Sequence, residues 1–331
     1  MINITYKGNR INFKGESLAI KSKEENPFIL TIDTEAMGSS PGDDSVNLWL
    51  NENYDYDFKV NWGDGNEDFI DNEDVNSLPT GWNPTRRLTH EYNEPGFYDI
   101  EITGTFGGLI MGLQAGAAKL IDIKQWGDPV WNDGWEAFDG CSNLNISATD
   151  SPNWENINSL EFAFNICSSL TNINNLLNNC VNLTNMDNTF ENCSSIASIS
   201  SNLFSNCISL ETLIFTFGNC SSIESIPTGL FNNNSTIINI SFCFMNCTSI
   251  ESVPIDLITP QNNPNITNFN STFRNLSSVS GLSPEVWKDW NGGDGPGYEG
   301  KGGLSKSGCF TDSSGFSDYS SIPSSWGGGG A

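Results

Sequence analysis

A short phrase keeps returning in the second half of this chain: Phe, two residues, Cys, two residues, then Leu or Ile. It occurs at Phe138–Leu144, Phe164–Leu170, Phe190–Ile196, Phe204–Leu210, Phe217–Ile223 and Phe244–Ile250, with degraded copies beginning at Leu177, Phe231 and Phe273. Cys141, Cys167, Cys193, Cys220 and Cys247 are 26 or 27 residues apart, and Cys180, Cys207 and Asn234 fall about midway between them. A fixed period of this length marks stacked, similar units, here one coil with two related corners. One half coil offers about four apolar side chains, such as Phe190, Cys193, Ile196 and Ile199. Burying three large ones yields roughly 5–9 kcal/mol, whereas ordering about 13 backbone residues costs ~13–26 kcal/mol before hydrogen bonds are counted. One unit cannot hold itself together; stacked units with a shared core and capped ends can.

The residues expected to form that core ladder are Phe138, Cys141, Phe164, Cys167, Cys180, Phe190, Cys193, Phe204, Cys207, Phe217, Cys220, Phe231, Phe244, Cys247 and Phe273. The nine cysteines are odd in number, none lies in a C-x-x-C pair, and His90 is the single histidine. Zinc sites need Cys and His at short spacings, so the cysteines read as small hydrophobes in a packing ladder. Between them run Asn, Ser and Thr; from Cys141 to Ser280 there is no Lys, and Arg274 is the only Arg. The N-x-S/T strings in this stretch read as a by-product of its composition. The acidic residues here, Asp187, Glu191, Glu211 and Glu224, read as scattered singly, which speaks against a paired-carboxylate glycosidase site.

The repeat resembles the BspA-like leucine-rich repeats, in the branch whose coils read F-x-x-C-x-S-L-T-S-I. The likeness covers about residues 117–280, with Leu120–Ile123, Gln125–Gly127 and Phe138–Leu144 as the opening coil. It implies a bacterial surface or adhesion protein, or a phage protein built from a similar array, with a binding surface and no catalytic or cofactor-binding residues. This copy departs from the pattern in its high Asn content and an irregular coil near Pro254–Pro264.

A second signature precedes the repeats. Phe58–Asn61 alternates towards Trp62-Gly63-Asp64-Gly65, and His90-Glu91-Tyr92 leads to Pro95-Gly96-Phe97-Tyr98, after which Ile100 and Ile102 continue the alternation of a strand. This resembles a PKD domain, an immunoglobulin-like β-sandwich, with Trp62, Asp64, Gly65, His90, Tyr92, Pro95, Gly96 and Tyr98 as its hallmarks. The resemblance implies a spacer or a carbohydrate- or protein-binding module, and makes His90 and Asp64 structural. No nucleophile completes a triad with them. Calcium is the one metal that the carboxylates Asp55, Asp57, Asp64, Glu67 and Asp68 suggest, although no D-x-D-x-D-G loop accompanies them. The stretch 79–86 reads as a mobile loop.

The chain is thus expected to be mainly β: an N-terminal hairpin arm (1–26), a PKD-like β-sandwich (27–106), a leucine-rich-repeat solenoid (107–280), and a C-terminal cap with a Gly-rich tail (281–331). The hairpin is expected to turn across Lys7-Gly8-Asn9. Its Lys7, Arg10, Lys14, Lys21 and Lys23 make it a basic anchor for other virion proteins in an otherwise acidic chain. In the tail, Trp326 reads as standing in the place of the repeated Phe, Gly327–Gly330 as a flexible end, and 291–303 as a surface loop. Fourteen Lys and Arg against 40 Asp and Glu give a net charge of −26, which disfavours sequence-independent nucleic-acid binding. The apolar run 107–118 is too short to span a bilayer. Met1–Phe13 lacks the apolar core of a secretory signal, which points to a virion surface rather than a bacterial cell surface. The expected partners are a host surface glycan or protein, within a homo-oligomer.

Overall fold

The computed structural model describes residues 25–36, 44–80, 85–112, 116–289 and 297–330, together with the backbone of 3–6 and 9–12. The chain is mainly β. Strand β1 (Asn3–Tyr6) pairs antiparallel with β2 (Asn9–Asn12), and Tyr6 faces Asn9. Asn9, expected in the turn, is thus the first residue of the second strand; Lys7 and Gly8 lie outside the described residues. The side chains of the basic arm lie outside the described residues.

Strands β3 (Phe28–Asp33), β4 (Ser45–Asn51), β5 (Tyr56–Asn61), β6 (Glu67–Asp71), β7 (Thr85–Glu91), β8 (Phe97–Phe106) and β9 (Leu109–Ile110) follow. A six-residue helix, α1 (Asn72–Ser77), separates β6 from β7; the Asp71 carboxylate accepts from the Glu73 and Asp74 amides at its start. Alternation decides the faces: Tyr56, Phe58 and Val60 are buried, while Asp57 is exposed and Lys59 and Asn61 are half-buried. The three-stranded sheet β7-β4-β9 and the larger sheet containing β3, β8, β5 and β6 contribute Val46, Leu48, Leu50 and Leu88, and Leu30, Ile32, Val60 and Ile100, to one core. In the stretch expected to be a loop, Thr80 bridges Arg86 and the Arg87 amide donates to the Pro79 carbonyl at 3.0 Å; residues 81–84 lie outside the described residues.

The larger sheet does not stop at residue 106. Strand β10 (Leu120–Gln125) pairs antiparallel with β3, and its other edge takes β11 (Asn145–Ile146) in parallel. The order is β11-β10-β3-β8-β5-β6, so the first strand of the repeats is also a strand of this sheet. Beneath it the cores merge through aromatic rings. Trp126 stacks on Phe28 at 5.7 Å, Trp131 meets Phe28 and Phe106 edge-on at 5.4 and 5.0 Å, and both tryptophans touch Phe138 at 6.0 Å. Gly127, at φ +67°, lies where a Cβ would come within 2.3 Å of the Pro27 carbonyl oxygen, so only glycine allows this close crossing.

From Phe138 onward one hydrogen-bond set recurs. The amides of Phe138, Phe164, Phe190, Phe217, Phe244 and Phe273 donate to the carbonyls of Ala163, Thr189, Thr216, Cys243, Thr272 and Cys309. Parallel bridges run Ser159–Asn185–Thr212–Asn239–Asn268–Ser305. Every aromatic and cysteine of the expected ladder is buried. The rings stack in two columns: Phe138–Phe164–Phe190–Phe217–Phe244–Phe273–Phe310 at 5.2–6.1 Å, and Phe204–Phe231 at 5.6 Å. Phe310 extends the first column by one rung beyond the sequence reading.

The cysteines have a specific task in that column. The thiols of Cys167, Cys193, Cys220 and Cys247 donate to the carbonyls of Phe138, Phe164, Phe190 and Phe217 at 3.0–3.1 Å. Each is small enough for the core and caps the phenylalanine carbonyl one coil back. Ser313 makes the same bond to Phe273 at 2.6 Å. At the second corner, Asn234 and Asn263 replace Cys, and their side-chain amides donate to Phe204 and Phe231 at 3.0 and 2.9 Å. Cys243 and Cys309, which lie off the main phase, directly precede Phe244 and Phe310, where other coils carry Ala163, Thr189 or Thr216. All nine cysteines are free and buried.

Two residues per coil adopt left-handed backbone. Two places after the repeated Phe stand Gly140, Ile166, Asn192, Asn219, Asn246, Asn275 and Asp312, with φ between 57° and 75°. Asn, Gly and Asp tolerate this conformation, whereas a β-branched residue does not. Ile166 is 45% exposed, so little packing offsets its strain. Ile166→Asn is therefore expected to stabilise the protein by about 1 kcal/mol. The readout is an upward shift of the urea midpoint at constant m-value; an unchanged or lower midpoint would contradict this reading of the turn.

The C-terminus closes the stack. Trp326 is buried, and its carbonyl accepts from Phe310 as Cys309 accepts from Phe273. It thus stands one place before the position of the repeated Phe, a correction of one residue. Its indole N–H donates to Glu299, which also takes Lys306 at 2.6 Å. Gly327–Gly330 is no loose end: the Gly328, Gly329 and Gly330 amides donate to Pro323, Tyr319 and Ile322. A Cβ on Gly328 would fall 2.3 Å from that of Ile322. Glycine serves here for close approach.

Candidate binding surface

The residues singled out before the repeats converge on one turn. Trp62 is fully buried, its ring stacks on His90 at 4.6 Å, and its indole N–H donates to Asp68 at 2.8 Å. His90 Nε2 lies 2.9 Å from the Asp64 carboxylate, which also accepts from the Asn66 amide at 3.0 Å. Burial works against the Asp64 carboxylate, yet the Asn66 amide and His90 together hold it below its ordinary range. Tyr92 donates to the Trp62 carbonyl at 3.0 Å and stacks on Tyr98 at 3.9 Å. Gly63 at φ +82° lies against the Asp99 backbone, and Gly65 at +94° completes the turn. Gly96 exchanges hydrogen bonds with Thr34, and Pro95 is exposed in the turn before it. The His90–Asp64 contact, the Trp62–His90 stack and the Tyr92–Trp62 hydrogen bond tie the end of β5 to β7 and so join the two sheets.

Of the carboxylates considered for calcium, Asp55 accepts from Asn72, Glu67 pairs with Lys59, and Asp64 and Asp68 are engaged as above. Among the described residues no group of three or more His, Cys, Asp or Glu side chains could hold a metal ion. No helix among them is long and apolar enough to cross a membrane.

The repeats present two polar faces of contrasting character. On one, acids that read as scattered in sequence come together. Glu136, Asp139, Glu161, Asp187 and Glu191 occupy three successive coils, linked by backbone bonds from Glu136 to Glu161, from Phe162 to Asp187 and from Ile166 to Glu191. Partial burial, with Asp139, Glu161 and Asp133 nearby, raises Glu136 to about 7. Burial, opposed by a hydrogen bond from Asn165, raises Asp139 to about 6, with Glu191 adding to the rise. Burial raises Glu161 and Asp187 as well.

These shifts set a pH dependence. Between its ordinary 4.5 and about 7, folded Glu136 keeps a proton that the unfolded chain has released, and Asp139 does so between 3.8 and about 6. Their contribution is complete below these windows and is lost as pH rises through them. Asp64, Asp99 and Glu299 are held low, so their contribution is lost at the acid end, as pH falls through their folded values. Stability is expected to peak near pH 5. With screening at half-exposed Glu136, the pair is worth ~1–2 kcal/mol. The thermal midpoint should then lie a few degrees higher at pH 5 than at pH 8, and Glu136→Gln should flatten that slope. A higher midpoint at pH 8 would contradict the acid column.

The second face is built of side-chain amides. Asn153, Asn179, Asn206, Asn233 and Asn262 recur one residue before the second corner. The amide groups of Asn179, Asn206 and Asn233 donate to the carbonyls of Pro152, Asn178 and Ser205 on the preceding coil, at 3.3, 2.8 and 3.3 Å. A trough of about 590 Å³ runs along this column, lined by Asp128, Asn153, Glu155, Asn179, Val181 and Asn206 among others. A second cavity of about 540 Å³ shares Asp128 and continues towards Asn26, Asp57 and Thr105 of the β-sheet unit. This trough was not legible beforehand. Its only signal was the exposed Val181 in its lining, at a position where the first corner carries Ser or Thr.

No protein-family model matches the chain, and no curated protein sequence matches it.

Proposed function

We propose that this chain is a non-enzymatic spike, fibre or decoration protein of a bacteriophage particle, binding the host surface through the flank of its repeats. In this reading residues 27–106 form a PKD-like sandwich, the repeats form a leucine-rich-repeat solenoid capped by 281–331, and the N-terminal hairpin anchors the chain to other virion proteins. The observation that carries it is the stack itself. The recurrent residues are consumed by the core, while the flanks present long columns of Asn, Ser and Thr with almost no cationic charge. Such a flank offers many weak, equivalent contacts, which gain strength when the chain is displayed in multiple copies. The resemblance to BspA-like arrays supplies the setting, and equally suits an adhesin of a bacterial cell surface. Purified protein is expected to bind host cells and to reduce phage adsorption in competition. Failure to bind any host cell would overturn the proposal.

The acid column favours one further reading, hydrolysis of a polysaccharide with Glu136 as general acid, because a carboxyl titrating near neutrality beside ionised neighbours suits that role. Release of reducing ends from host polysaccharide, abolished by Glu136→Gln, would establish it in place of simple binding.

A further inference from the structure

The larger sheet ends on an open edge. Strand β6 (Glu67–Asp71) is last in its order and pairs with β5 alone. The Trp62 amide donates to the Asn66 carbonyl at 3.1 Å, which sets the phase of the pair. Val60–Asp68 and Phe58–Ile70 are then the bonded pairs, while Glu67 and Phe69 turn their amides and carbonyls away from β5. Among the described residues these groups meet no partner. The Asp71 amide, which turns the same way, is taken by the Asp74 carboxylate at 3.1 Å. The Phe69 side chain beside this edge is 71% exposed. Unpaired backbone next to an exposed ring is a template for one more strand.

Charge decides which strand fits. Residues 51–78 hold nine Asp and Glu and a single cation, Lys59, which pairs with Glu67 at 2.7 Å. Asp68 and Asp71 accept from neutral donors, the Trp62 indole and the first amides of α1. A second β6 laid on this edge would set carboxylate against carboxylate. The opposite charge is concentrated in the first 23 residues. They carry five of the 14 Lys and Arg but one of the 40 Asp and Glu, which makes +4 against −30 for the remainder. Within them β2 (Asn9–Asn12) has extended backbone, and the sequence Arg10-Ile11-Asn12-Phe13-Lys14 alternates with the period of a strand. With Asn12 opposite Phe69, pairing in either direction sets Arg10 and Lys14 opposite Glu67 and Asp71. It also sets Ile11 or Phe13 opposite Ile70, and brings cations to the exposed Phe69 ring.

Resting on the anchoring role given to the hairpin above, we propose that its partner is a second copy of this chain. Residues 10–14 of one copy add to β6 of the next as a seventh strand of the larger sheet. The contact is head-to-tail, so a small number of copies can close into a ring. Bodies of charge −30 repel one another, and the arm supplies the cations that offset this where two copies meet.

The test is the mass of the full chain in solution, by light scattering, at about 0.1 M and about 1 M salt, which screen charges beyond ~10 and ~3 Å. A concentration-dependent oligomer is expected, weakened roughly tenfold or more at the higher salt. Arg10→Glu with Lys14→Glu in one variant, and Glu67→Lys with Phe69→Lys in another, should each be monomeric where the unaltered chain assembles. Their thermal midpoints should stay close to that of the unaltered chain. Mixed in equal amounts, the two variants should associate in alternation, acidic arm on basic edge and basic arm on acidic edge. A monomeric unaltered chain, assembly that survives either pair of substitutions, or a mixture that stays monomeric would overturn the proposal. Host-cell adhesion by a chain that is monomeric would overturn the strand exchange and leave the host-binding reading standing. An assembled chain that binds no host cell would overturn that reading and leave the exchange standing.

Discussion

Replacing Phe217 by Ala is expected to cost about 3–5 kcal/mol, a large share of the 5–15 kcal/mol that typically holds a domain together. Its ring is fully buried and stacks between Phe190 and Phe244 at 5.7 and 5.6 Å, with Phe204 alongside at 6.2 Å. Truncation would leave a cavity bordered by three rings, each held in place by the stack, so the site has little freedom to collapse. The Cys247 thiol takes its acceptor from the Phe217 carbonyl, which couples backbone placement at this rung to the next. Chemical denaturation should show the loss as a lower midpoint, and hydrogen exchange should show it spread over the coils on either side. A loss under 1 kcal/mol, or one confined to a single coil, would contradict a continuous ring column.

Separating the chain between residues 106 and 107 is expected to have a larger effect still. The fragment 107–331 would lose strand β3 as partner of β10 and expose Leu120, Ile123, Trp126 and Trp131, all buried in the whole chain. Losing the packing of one large aromatic costs ~3–5 kcal/mol, so two tryptophans and a strand edge together exceed any plausible reserve of the first coils. The fragment 25–106 would expose Phe28 and Phe106 in turn. Neither fragment should reach the thermal midpoint of the whole chain, and the repeat fragment should fray from its N-terminal coils. Two fragments that melt independently at the original midpoint would contradict the shared sheet.

The parts of this architecture readable in advance are those in which one residue type recurs at one phase. The phenylalanine column was visible because packing demands the same large ring at every coil. The thiols sit where a small side chain must also reach a carbonyl. The acid column was not visible because its members occupy three different phases: Glu136 two before the repeated Phe, Glu161 and Asp187 three before it, and Asp139 and Glu191 one after it. Only the stack shows them to be neighbours. The pairing of β10 with β3 joins residues about ninety positions apart, and no local pattern encodes it. Gly327–Gly330 misled for a different reason. Glycine-rich ends commonly serve as linkers, but the same residue also permits the closest backbone approach, and burial of Ile322 and Trp326 beside it decides between the two. The Asn-rich composition suggested a polar surface, and the hydrogen bonds between coils show that these side-chain amides also tie each coil to the one before it.

Where the protein works decides between a virion and a cell-surface role, and mass spectrometry of gradient-banded phage particles tests that most directly. Stoichiometric recovery of this chain in infectious particles is the predicted result. Its absence from particles, with recovery in the bacterial cell-envelope fraction, would contradict the virion assignment and leave the adhesin reading in its place.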